Sequence, residues 1–148
     1  MSKPEIDEHL WLECQRVIPA QKPARLPADL GTIDGDIKVI LVSGRHVKVS
    51  ERQGKKNHKG DDDFMDFVEG GNGEEDPELC GPKEIVLDAD HALDDLAPVC
   101  YHEAIERRMM VKYKKEGMTS AQAYKKAHAE VANPSEKVLR LRLLGGTR

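Results

Sequence analysis

The stretch HALDDLAPVCYHEAIERRMMVKYKKEG, residues 91 to 117, constrains the fold more than any other part of the chain. Asp94 or Asp95 can cap a helix N-terminus, Pro98 falls in a first turn where its missing N–H does no harm, and Gly117 supplies a stop. The spacing predicts a helix over 96–116. At about 100° per residue, Met109, Tyr113, Val99, Ile105 and Met110 all fall within roughly 80° of His102, and that face is the one to bury. Glu106 lies about 40° from His102, inside the same face. Arg107, Arg108, Lys114 and Lys115 occupy the other side. A carboxylate within an apolar stripe is costly unless something pairs with it.

His102 and Glu106 belong to the pattern His-Glu-x-x-Glu. Four residues apart on a helix, their Cβ atoms lie roughly 5–6 Å from each other, so both side chains can converge on one ion. Glu103, at the margin of the face, can reach a water at that ion without ligating, the role of the glutamate in His-Glu-x-x-His helices. A catalytic zinc takes three protein ligands, so the reading needs a residue from elsewhere. A second helix offers it. Thr119 and Gln122 make a capping box, the Asn133-Pro134 step ends the helix, and His128 shares a face with Ala121, Tyr124, Val131 and Ala132. A short Gly-Met-Thr turn between two antiparallel helices brings His102 and His128 onto facing sides. Glu136 is a fourth ligand, a group that orients a ligand, or the partner of Asn133 in a capping box for a last helix. The structural alternatives are a histidine satisfied by a hydrogen bond and a Glu106 paired with Arg140 or Arg142.

The rest of the chain reads as follows. Ile6, Leu10, Cys14 and Val17 have helical spacing over residues 4 to 17, and PAQKPARLPADLG, with three prolines, is an extended connector. IKVILV, an SGR turn and HVKVS make a hairpin, whose first strand is apolar on both faces and belongs at the centre of a sheet. Residues 51–79 are a long polar loop with a short strand or turn at about 64–68. The DDDFMD run there lacks the spaced ligands of a calcium loop. KEIVLDAD, residues 83 to 90, is a third strand. The expected fold is α+β: a small, mainly antiparallel sheet from 37–50, about 64–68 and 84–88, packed on two or three helices. Residues 1–31 form an N-terminal helix and proline-rich arm, and residues 32–148 a single domain.

Several function classes are disfavoured. The formal charge of -4 and interleaved basic residues leave no phosphate-tracking stripe, and a single Trp, two Phe and three Tyr offer few stacking platforms, so nucleic acid is not an expected partner. No apolar run approaches the roughly 20 residues of a membrane span, and the N-terminus lacks a secretory signal, which predicts a cytoplasmic protein without a membrane partner. Three cysteines without a Cys-x-x-Cys pair point to reduced, partly buried thiols.

EIVLDAD, HEAIERRMM, GMTSAQAYKKAHAE and Glu136 come in an order that resembles small phage- and prophage-encoded proteins of the minimal zincin-like metallopeptidase type. The resemblance covers residues 83 to 136. It implies a zincin-like core, zinc held by His102, Glu106 and His128, and Glu103 as general base for water attack on a peptide carbonyl. It also implies a peptide or protein substrate laid along strand 84–88 by strand addition. Most zinc peptidases carry histidine where Glu106 stands, and the added carboxylate lowers the charge of the site and its Lewis acidity. The rival expectation is a noncatalytic phage structural or interaction protein that keeps the scaffold, is associated with the virion and binds other phage structural proteins. The 51–79 loop and the 19–31 arm motivate it, since such segments often order only on a partner.

Overall fold

Asp7 starts the first helix: its side chain accepts from Leu10 N at 3.1 Å, and α1 runs Glu8–Val17 with Leu10, Trp11 and Cys14 buried. A computed structural model describes this and the remainder of residues 5–43, 70–74 and 80–145. Expected strands at 46–50 and about 64–68 lie outside the described residues.

The connector predicted for 19–31 ends in a strand. β1 (Ala28–Ile33) pairs antiparallel with β2 (Ile37–Val42), and the turn between them places Asp34 and Gly35 at φ 50° and 88°. Asp-Gly at positive φ is a standard hairpin turn, so β2 finds an antiparallel partner before it in the chain. The division drawn at residue 31 falls inside β1, and α1 contributes to the same core as the sheet.

β3 (Gly70–Asn72) and β4 (Glu84–Asp88) complete a four-stranded sheet in the order β1-β2-β4-β3. Two pairings are antiparallel and the central one, β2 with β4, is parallel. The fold is thus α+β with a small mixed sheet packed on helices. β2 is central, as its apolar run requires. β4 is not an edge: β2 lies on one side of it and β3 on the other, so strand 84–88 has no open edge for a peptide to join. Ile33, Ile37, Val39, Leu41, Ile85 and Leu87 share one face and enter the core with Leu10, Trp11, Leu96, Cys100 and Tyr101.

α2 (Leu93–Lys115) begins three residues earlier than expected. Ala92 is its N-cap with no side-chain bond, while Asp94 and Asp95 sit in the first turn, where carboxylates favour the helix dipole. Pro98 consequently lies inside the helix, one turn in, and forgoes the bond to the carbonyl of exposed Asp94, which water can satisfy. Gly117, at φ 103°, ends the helix as predicted. Arg108 ties three elements together, reaching Asp7 Oδ2 and Asp34 Oδ1 at 2.9 Å each. Cys14, Cys80 and Cys100 are buried and form no disulfide, and the neighbouring Cys100 and then burial push Cys14 well above its ordinary pKa.

α3 (Ser120–Lys126) carries the Thr119–Gln122 capping box. The helix does not break at Asn133-Pro134. It widens into a π-helical turn over Ala127–Ala132 and continues as α4 (Asn133–Gly145), so Asn133 and Glu136 do not form a separate cap. Pro134 has no N–H to return and its ring would crowd the carbonyl four residues back. The wider turn, in which Asn133 N bonds His128 O, accommodates it without ending the helix.

Candidate metal centre

From Leu96 to Glu106 every residue of α2 is buried. The sheet and α1 cover one side, and α3, the π turn and α4 cover the other. This is why the wheel prediction of a single buried face understates the burial. Met110 and Tyr113, further along, pack on Ala123 and Ala127 of the second helix, whereas Ala121, expected on the His128 face, is exposed.

His102 and Glu103 are each 6% exposed and Glu106 is 0% exposed. Two carboxylates at that depth require compensation. Neither arginine alternative supplies it: Arg140 pairs with Glu136 at 2.7 Å, and Arg142 grips Glu8 with both guanidinium nitrogens. Glu106 Oε2 instead lies 3.1 Å from His102 Nε2 and 2.7 Å from His128 Nδ1. The two imidazoles meet edge to face with centroids 5.0 Å apart, and Tyr124 stacks on His128 at 5.1 Å. The helical hairpin thus brings the predicted histidines together.

The ligating atoms of His102, Glu106 and His128 all lie within 4.8 Å of one another. Bonds of ~2.0–2.1 Å in a tetrahedral arrangement place ligand atoms roughly 3.3 Å apart. The two contacts to Glu106 Oε2 already stand near that spacing, and the buried group can hold a metal ion.

Glu136 Oε1 sits 2.7 Å from His102 Nδ1, on the far side of the ring from Glu106. It is therefore placed to orient a ligand rather than to join the ligand set. The approach is a close ion-pair contact whose alignment falls short of a regular hydrogen bond, and no other described residue reaches Nδ1. Burial disfavours the His102 imidazolium, but Glu106, Glu136 and Glu103 more than offset it and push its pKa up to about 10. Burial likewise raises Glu136, and His102 and Arg140 together reverse that, holding its carboxyl below the ordinary value. A proton on His102 thus balances the carboxylates where a cation would otherwise do so.

One member of the site was not foreseen. Asn72, at the end of β3 and 0% exposed, donates from Nδ2 to Glu103 Oε1 at 2.9 Å and to Glu106 Oε1 at 3.1 Å. It lies in the stretch read as a solvated loop, among EGGNGEED, where composition gives no hint of a buried amide. The only local sign is the Asn-Gly step, which marks a turn. Gly73 is required there because a Cβ would collide with the Gly81 carbonyl oxygen.

No known family model, no curated protein and no solved structure matches the chain. The site geometry therefore carries the functional reading. Among the described residues, no helix is long and apolar enough to cross a membrane.

Proposed function

We propose that the chain is a zinc-dependent, metallopeptidase-like protein of the phage or prophage kind that its sequence resembles, acting on peptide or protein substrates. The observation that carries this reading is the convergence of His102, Glu106 and His128 within 4.8 Å. Two imidazoles and one carboxylate are a donor set that hydrolytic zinc sites use, and they leave a fourth position open. Zinc at such a site supplies Lewis acidity, lowering the pKa of water and polarising a carbonyl. His102 and His128 bind as neutral rings, with Glu136 orienting His102 from behind. Glu106 offsets part of the added charge. Glu103, fixed by Asn72 beside the ligands, takes the proton of the attacking water and returns it to the leaving amine.

Elemental analysis after zinc loading, followed by mass spectrometry of a digested peptide mixture, tests this. The parent is expected to hold near-stoichiometric zinc and cleave. Glu103→Ala should keep the metal while its rate falls by about 10²–10⁴-fold. Loss of metal in that variant, or unchanged turnover, would sink the base assignment.

A second reading is favoured by the exposed leucines: Leu12 on α1 with Leu141, Leu143 and Leu144 on α4. In it the protein is a noncatalytic phage structural or interaction protein, and the metal fastens the π turn to α2. Stoichiometric zinc without cleavage of any peptide, combined with association in gel filtration, would select it.

A further inference from the structure

The zinc reading requires ligands and a base, but it does not require a buried amide. Asn72 nonetheless donates to both glutamates of the His-Glu-x-x-Glu pattern. Its orientation is determined, because Oδ1 accepts from Glu74 N at 3.0 Å. Exchanging the amide oxygen and nitrogen would set an acceptor against two carboxylates and a donor against an N–H.

The backbone that carries Asn72 is pinned as well. Asn72 pairs with Ile85 of β4, Gly73 N donates to Glu84 O at 3.1 Å, and the close approach of Gly73 to Gly81 leaves no room for a side chain. A fixed strand end thus presents a fixed donor to α2. Such preorganisation is what a ligand-orienting group needs.

The bond divides the Glu106 carboxylate. Oε1 is engaged by Asn72, while Oε2 alone faces His102 Nε2 and His128 Nδ1. We propose that Asn72 is a positioning residue that makes Glu106 a single-oxygen ligand and holds Glu103 beside the position this leaves open. The proposal rests on the metal-binding reading. Three single-atom ligands leave one tetrahedral place for water or a substrate carbonyl, whereas a Glu106 bound through both oxygens would fill it. Asn72 thereby separates the ligand glutamate from the base glutamate, although both stand on the same buried helix.

The test uses Co(II) as the probe, because its visible bands are intense in four-coordinate sites and weaken as the coordination number rises. Chelator-stripped parent is expected to bind one Co(II) with four-coordinate intensity. Asn72→Ala is expected to bind it about 10- to 100-fold more weakly, with the bands reduced as Oε1 swings onto the metal. Unchanged band intensity in Asn72→Ala, whatever its affinity, overturns the positioning role, since a purely structural amide would alter stability and not coordination. A parent that takes up no Co(II) overturns the metal reading and this proposal with it. Should Asn72→Ala fail to fold, a crystal structure of the Co(II)-loaded parent decides. Glu106 on the metal through Oε2, with Oε1 still on Asn72, is the expected result, and ligation through both oxygens overturns it.

Discussion

His102 and Glu106 stand on a stretch of α2 that is buried on every side, whereas His128 stands on a π-helical turn with its side chain 36% exposed. The first pair is held by core packing, an amide from β3 and a carboxylate from α4. The second partner is held by Glu106 and by Tyr124 stacking, at the rim. The difference assigns the two sides separate duties. α2 supplies His102 and Glu106 already fixed by packing and by Asn72 and Glu136, and the π turn supplies His128 to complete the group of three.

The strongest attempt to break that contrast is Glu106→Ala. It strips Asn72 and both imidazoles of a shared buried acceptor, and breaking a buried charged pair costs about 3–5 kcal/mol. Urea melts of the metal-free protein should show a loss of that order. A loss no larger than that of His128→Ala would erase the distinction between the sides.

His128→Ala sharpens the contrast from the other direction. Metal-free stability should change little, because the ring is at the rim. Zinc at 100 times its dissociation constant stabilises a native state by about 2.7 kcal/mol, and that increment should disappear from the variant's thermal melts.

Pro134→Ala probes the turn itself. Restoring an N–H lets the π turn relax toward an ordinary α-helix, which rotates Glu136 and His128 relative to each other. We expect zinc affinity, measured by competition with a chromophoric chelator, to fall by about 10-fold, the low end of the range for groups that orient ligands. Unfolding of the metal-free protein should be unchanged or more difficult.

The smallest effect belongs to Asp7, outside the group of three, which sets a scale for partly exposed electrostatics. Its carboxyl is held below the usual aspartate value by the Leu10 N–H and then by Arg108. A depressed folded-state pKa means the contribution is present above the unfolded value and lost as pH falls through the folded one. Asp7→Asn should therefore flatten the acid limb of the stability profile by about 0.2–1 kcal/mol, as read from urea melts at pH 2 to 5.

The parts of the site legible in the sequence were those governed by helical period. His102, Glu106 and the stop at Gly117 follow from spacing within one element, and the Thr119–Gln122 box and the short turn sufficed to face His128 toward them. What escaped depended on partners distant in the chain. The Asp34-Gly35 hairpin is present as a turn signal but hidden behind three prolines. Strand addition along 84–88, which the resemblance implies, does not fit a β4 flanked by β3 and by a parallel β2 that nothing local announces. Asn72 escaped for the same reason: its burial is decided by β4 and α2, not by the glycines and acids around it. Pro134 misled because a π turn can absorb a residue that an α-helix cannot.

Asn72 lies 34 residues before Glu106 in the chain, and His128 lies 22 after it. Early in folding, only the neighbours on α2 can meet, through one helical turn. Closing the helical hairpin and docking the short strand both require loops to shut, and those steps are slower. On the proposed metal-binding reading, an ion arriving before them would meet only the two-point pair of His102 and Glu106, and one arriving after them the full group of three. On that reading, capture of an ion would follow both closures, and the bound fraction would count the molecules that have completed them.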